Sequence, residues 1–359
     1  MTAPHLVSGP HLAGGRTLHG IMLQVCLALL PATLFGVGLF GWPALNLLLI
    51  TVASALAFEA LALRLAGKPL FPDLGDGSAL VTALLLALSL PPWAPWWIGV
   101  LGGGFAIVLG KQIFGGLGQN PFNPAMLARV VLLIAFPVEL TQWATPHPLF
   151  AAGSPGFLEG LQITFMGVPN VDAVSGATLL GHVKTELGRG VELSAALGHY
   201  DATQALLGMK GGSLGETSAL LILLGGLYLL ARRIITWHIP VAMLAAIALP
   251  ATVMHWIDPL HHAGALYHLL TGGVMLGAFF IATDYVTSPS SPAGQVIYGA
   301  ACGLLVWIIR SFGGFPEGVA FAVLLMNGAT PLIDHWVRPR IYGRDRKGQP
   351  LTVAREKRS

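Results

Sequence analysis

The string Asp172-Ala173-Val174-Ser175-Gly176-Ala177-Thr178 stands in a polar interruption of an otherwise apolar chain. Small residues of this kind form a turn, and a hydroxyl from Ser175 or Thr178 then caps a short helix over "LLGHVKTEL". The same small-residue turn exposes a hydroxyl to close approach by an enzyme, so Thr178 is also a candidate modification acceptor. A second set is built on amides. "GQNPFNPA" supplies Asn120 and Asn123, each followed by proline, and "ATDY" supplies Asp284. Two carboxamides donate and accept along the edge of a planar heterocycle. The alternative is that both asparagines cap the next helix, with proline in its first turn. Asp284 closes a short apolar segment, where a carboxylate is costly unless paired or functional. Glu59, Asp73, Asp76, Arg129 and Glu317 lie mostly near the ends of apolar runs, and solvated or paired structural roles are expected there. Cys26 and Cys302 stand singly in apolar runs with no C-x-x-C, so no iron–sulfur or other metal site is expected. The histidines of "HWIDPLHHAGALYH" read as an outer interfacial loop, since no His pair sits mid-helix on two spans to hold a haem.

These side chains need a membrane frame to position them. Of 359 residues, 54% are hydrophobic and 10% charged, against about 25% charged in soluble domains. Lipid is therefore the solvent. A bilayer core of about 30 Å takes roughly 20 apolar residues of helix. Full-length spans are expected over 20–39, 43–66, 95–113, 123–138, 217–235, 239–256, 293–310 and 315–333. Two shorter segments, 75–92 and 269–284, open on glycine and end in polar or proline-rich breaks. Aligning them superposes their glycines, and each precedes a proline-rich stretch, a long helix and a double glycine. The fold expected is all-α: an integral membrane protein of about ten helices in two inverted five-helix repeats with broken short helices. The boundaries are an N-terminus over 1–19, repeats over 20–138 and 217–335, a connector over 139–216 and a basic tail over 336–359. Inverted repeats with broken helices place binding sites at their interface.

Lysine and arginine set the orientation. Arg64, Lys68, Lys111, Arg232, Arg233 and the basic tail all fall inside if both termini are cytoplasmic, with Arg310 an exception. The connector and Thr178 then face outward. No basic stripe interleaved with aromatics points to nucleic acid. The first residues carry no cleavable signal pattern, so the first apolar run is expected to be a retained helix.

The string ending at Thr178 resembles the flavinylation motif D-x-x-S/T-G-A-T. The strings "DGSALVTALLLALSLPP", "GKQIFGGLGQNPFNPAMLARVVLL", "SGATLL" and "ATDYVTSP" extend the resemblance over essentially all of 20–335. The chain resembles a family of membrane redox proteins that includes the D subunit of the Rnf ion-translocating ferredoxin:NAD oxidoreductase and the B subunit of the sodium-pumping NADH:quinone reductase. The longer N-terminal extension usual in the latter is missing, which favours the former. The resemblance implies FMN joined to Thr178 through a phosphoester bond by an extracytoplasmic flavin transferase, with Asp172, Ser175, Gly176 and Ala177 as the recognition motif. It implies a bacterial inner-membrane location. Its implied partners are the other subunits of a redox complex, including a flavinylated outer-side subunit and iron–sulfur subunits. It also implies a second, non-covalent flavin such as riboflavin near Asn120, Asn123 and Asp284. Tyr285 departs from the proline expected after this aspartate. Other function classes compatible with inverted five-helix repeats are a urea-channel-like permease and a scaffold.

Overall fold

In a bilayer every backbone polar group must be satisfied internally, so the chain resolves into helices. The computed structural model describes residues 17–71, 73–151, 153–167, 175–176, 178–198 and 200–338. The Thr17 hydroxyl accepts from the Gly20 amide at 3.1 Å and starts α1, Leu18–Phe40. Gly41, in the left-handed half of backbone space at φ 76°, turns the chain into α2, Trp42–Leu65, with Pro43 in its first turn. Next come α3, Ser78–Ser89, and α4, Trp96–Gly104, which runs on as a π-helix over Phe105–Leu109. α5 spans Pro124–Ala135. The connector holds α6, Phe157–Met166, α7, Leu179–Gly188, and shorter turns. The remaining helices are α8, Ala219–Ala231, α9, His238–Ile257, α10, Ala265–Leu270, α11, Val274–Leu276, α12, Pro292–Phe312, and α13, Val319–Trp336. A π-helix over Gly277–Ile281 continues α11.

Among the described residues, five helical stretches are long and apolar enough to cross a membrane, and Ser78–Ser89, Pro124–Ala135 and Ala219–Ala231 are shorter apolar helices. The chain is thus a multi-pass membrane protein. Two expected full-length spans are shorter than the sequence suggested. Pro137 removes Phe136 from helical space, so α5 stops at Ala135 and a separate turn, Pro137–Thr141, follows. The Ser218 hydroxyl caps α8, and Arg233 at φ 53° breaks the chain after Arg232. The segment expected over 269–284 is also two pieces, broken at Thr271-Gly272-Gly273, and its first piece begins at Ala265.

α1 packs on α8, α2 on α4, α9 on α12, and α5 on α13. Gly225 and Gly226 let α8 approach very closely, because a Cβ on either would collide with the Ala28 carbonyl of α1 or with Phe279. Small residues at such crossings replace the hydrophobic drive that lipid removes. The all-α expectation needs one addition: β1, Trp143–Ala144, pairs antiparallel with β2, Ser175–Gly176. The register joins Trp143 to Gly176 and Ala144 to Ser175, tying the start of the connector to the Thr178 motif.

Candidate functional site

Thr178 is the N-cap of α7. Its backbone is extended, and its hydroxyl accepts from the Gly181 amide at 3.1 Å. The capping role inferred for this threonine therefore holds. The hydroxyl is not exposed, however: Thr178 retains 8% of its accessible surface. The helix it starts is docked on its neighbours. Leu180 and Val183 bury against Leu193, Ala196, Ala263 and Tyr267, and the Lys184 ammonium donates to the carbonyls of Ile309 at 3.2 Å, Arg310 at 3.1 Å and Phe315 at 2.8 Å. An enzyme reaches this hydroxyl only after the first turn of α7 opens locally. Ser175 and Gly176 are described by their backbone ladder, while Asp172 and Ala177 lie outside the described residues, as does the tail from 339 onward.

The start of a helix leaves amides without intrahelical acceptors and carries the positive end of its dipole. Both favour a phosphoryl group. The Thr178 oxygen stands at such a position, so the residues present fit a phosphoester-linked cofactor.

Beside α7 lies a charged cluster around the break between α10 and α11. Arg310 donates to the His268 carbonyl at 2.7 Å and the Thr271 carbonyl at 3.0 Å. Lys210 donates to the Leu270 carbonyl. On the other side of the break, Glu317 accepts from the Gly273 amide at 3.0 Å and pairs with Arg310 at 2.7 Å. Cations thus cover the carbonyl end of α10 and a carboxylate covers the amide end of α11, as the half-helix dipoles require. Gly272, at φ 66°, threads this clamp, and a Cβ there would strike Glu317, Arg310 and Leu180. Burial pushes the Lys210 ammonium down to about 8, with Glu216 acting in the opposite direction. Arg129 lies with its guanidinium 5.9 Å from the Trp143 ring centroid, and its Nη1 lacks a hydrogen-bond partner. In the sequence Arg310 stands out only as an exception to the charge topology. Its one signal was an arginine near the end of an apolar helix, seven residues before Glu317. His268, read as part of an interfacial loop, is instead buried on α10, since the chain is already helical from Ala265.

Asn120, Asn123 and Asp284 come together. All three line one cavity of about 90 Å³, with Ile21, Ser78, Lys111, Phe279 and Phe280 among its other walls. Asn123 Nδ2 donates to Asp284 Oδ2 at 3.4 Å. Asn123 also caps α5, its Oδ1 accepting from the Met126 amide at 3.1 Å, so the structural and lining roles coexist. Asn120 does not cap: its Nδ2 donates to the Phe122 carbonyl, and its buried Oδ1 has no partner. An orphan acceptor of this kind suits a ligand N–H. The cavity sits at the starts of α1, α3 and α5 rather than at mid-depth, because Asn123 is the N-cap of α5 and Ser78 is the first residue of α3. Its volume is below the about 300–1,000 Å³ usual for ligand sites, so a flavin ring requires it to open. Behind it, Asn327 accepts from the Asn123 amide at 3.0 Å and donates to the Tyr298 hydroxyl at 2.7 Å. Asn327 was not singled out in the sequence, although a lone asparagine inside an apolar helix was a usable signal. Glu59, expected to be paired, accepts from Lys111 Nζ at 2.7 Å, and Lys111 also donates to the Ser78 hydroxyl at 2.7 Å.

A multi-pass helical frame with a helix-capping threonine at the end of D-x-x-S-G-A-T defines a class. The family model described as NQR2, RnfD, RnfE family matches residues 5–343, and the chain belongs to that family. Three similar proteins are each named as the D subunit of an ion-translocating oxidoreductase complex. That of Halorhodospira halophila is 57% identical over 352 residues, covering 98% of this chain and 99% of its own. That of Stutzerimonas stutzeri is 60% identical over 336 residues, covering 93% and 95%. That of Cronobacter sakazakii is 47% identical over 351 residues, covering 94% and 98%.

Proposed function

We propose that this chain is the membrane electron-transfer subunit of an ion-translocating ferredoxin:NAD oxidoreductase complex and carries FMN on Thr178 through a phosphoester bond. The carrying observation is the placement of the motif threonine at the start of α7, where the helix terminus stabilises phosphoryl charge. The relatives' names support membership of an ion-translocating oxidoreductase complex over the sodium-pumping quinone reductase. When bound, FMN supplies the redox chemistry; the protein supplies position and electrostatics. Thr178 provides the tether, the first turn of α7 receives the phosphate, and Lys184 anchors α7 to the end of α12. The connector faces the periplasm of a bacterial inner membrane, where a flavin transferase and a flavinylated partner subunit have access, with iron–sulfur subunits elsewhere in the complex. The transported ion is Na⁺ or H⁺.

The bundle consists of about ten helices in two inverted five-helix repeats over 20–138 and 217–335. Supporting this are the matched neighbours: α1 on α8, α5 on α13, and the second-with-fourth pairing of α2–α4 and α9–α12. A second, non-covalent flavin such as riboflavin binds at the opposite end of α5 from the connector, with its N–H edge toward Asn120 Oδ1. In-gel fluorescence of the denatured protein tests the main reading. A flavin-bright wild-type band and a dark Thr178→Ala band are expected. A dark wild-type band would favour a permease or a scaffold.

A further inference from the structure

The connector helix α6 packs on the first turns of α2 and runs in the same direction. Phe157 meets Trp42 edge-on with ring centroids 5.2 Å apart, and Gly160 lies so close to Trp42 that a Cβ there would strike the Trp42 Cβ. Four residues on, Asn46 Nδ2 donates to the Thr164 hydroxyl at 3.3 Å. The contacts advance by four residues on both helices, so α6 descends about 6 Å along α2 between Gly160 and Thr164. Gly160, Ile163 and Thr164 form the buried face of α6. The remaining surface is apolar and open: Phe157, Leu158, Phe165 and Met166 are all exposed, and Met166 keeps 86% of its accessible surface. Glu159 is the one charged residue of α6, and it stands in the first turn, where it accepts from the Gly156 amide at 3.4 Å.

The neighbours of α6 say what covers this open face. Asn46 belongs to a stripe of α2 that continues at helical spacing through Leu49 and Ala53. Both are exposed, although α2 is long and apolar enough to cross a membrane, so this stripe is a lipid-facing side of the span. α6 therefore sits on the side of α2 that meets lipid one turn further in. Trp42 and Trp96 flank it at the starts of α2 and α4, the Trp96 ring lying 6.0 Å from that of Phe165, and tryptophan at span ends marks the headgroup level. A descent of about 6 Å from Trp42 matches the roughly 5–10 Å to which interfacial helices sink. We infer that α6 is embedded in the connector-side leaflet of the bilayer, with Phe165 and Met166 among the lipid chains and Glu159 at the headgroups. Charge runs the same way along its length, from the carboxylate in the first turn to the apolar tip. With no lysine or arginine on α6, apolar area holds it in place and no anionic lipid is needed. α6 thus pins the connector to the membrane between the two sets of spans.

The test places the full chain in phosphatidylcholine nanodiscs, with an environment-sensitive fluorophore on a cysteine introduced into α6. The wild type, whose Cys26 is partly buried and Cys302 buried, is the labelling blank. Probes at Met166→Cys and Phe165→Cys should emit at shorter wavelength than one at Glu159→Cys. Doxyl-labelled lipid should quench them several-fold more than aqueous iodide does, and the Glu159→Cys probe should show the opposite ratio. High salt or added anionic lipid should leave these ratios unchanged. All three positions are exposed, so the substitutions spare the packed face, and Phe165→Cys repeats the measurement if Met166→Cys labels poorly. Iodide quenching at Met166 and Phe165 as strong as at Glu159 puts the face in water and overturns the placement. Protection from both quenchers means that protein covers the face, a second copy of the chain in nanodiscs, and overturns it as well. In the assembled complex the doxyl-lipid quenching should persist; its loss there assigns the face to a partner subunit instead of lipid.

Discussion

Thr178 caps α7, and the function proposed above gives it a second, separable job as the attachment point of the cofactor; substitutions divide the two. Thr178→Ala removes both the hydroxyl that accepts from Gly181 at 3.1 Å and the attachment oxygen. Loss of a threonine N-cap costs about 1 kcal/mol, which is about a fivefold rise in local opening of the first turn. The cost stays local because α7 is also held by Lys184 on the α12 carbonyls and by Leu180 and Val183 in their apolar cluster. Thr178→Asn keeps a capping acceptor of equal or better quality but offers no hydroxyl. Thr178→Ser keeps both functions. Amide exchange read on a peptide spanning 178–188 should be about fivefold faster in the alanine variant and unchanged in the asparagine variant. In-gel fluorescence should be lost in both and retained at reduced yield in serine. If Thr178→Asn keeps its label, the acceptor lies elsewhere. If Thr178→Ala loses protection across the whole connector, the cap is worth far more than this geometry allows.

Other outcomes follow from the same structure. Asn120→Leu removes the orphan acceptor without touching the α5 cap, so the variant should keep its covalent flavin and release less free flavin on denaturation. Equal release from both proteins sinks the second site. Lys210, lowered to about 8 by burial, sits below its unfolded value of about 10.4, so the unfolded chain holds more protons between those values. Stability should therefore rise with pH from about 8 to about 10, and melting curves of Lys210→Met in detergent should lose that component. A reporter active only outside the cytoplasm should work fused after Gly190 and fail fused after Arg344; the reverse pattern would put Thr178 on the inner side.

Local chemistry and hydrophobic length were enough to read some features from the sequence. Apolar runs of about 20 residues revealed α1, α2, α9 and α12, because length and lipid solubility are properties of the chain alone. The Thr178 cap was legible for the same reason, being made with an amide three residues away. The meeting of Asn123 with Asp284 was expected from resemblance, not from spacing, since 161 positions separate them. What the sequence hid was set by packing between distant segments. The lengths of α5 and α8 are the exception, being set locally by Pro137 and by the Ser218 cap. The docking of α7 onto α10 and α12 was likewise hidden, since Leu180 meets Tyr267 and Lys184 meets the Ile309 and Arg310 carbonyls only in the folded chain. The charged clamp at Thr271-Gly272-Gly273 draws Lys210 and the Arg310–Glu317 pair from two separate parts of the chain. Unpaired half-helix ends can be buried only where such charges converge, and that convergence exists only once the bundle has closed.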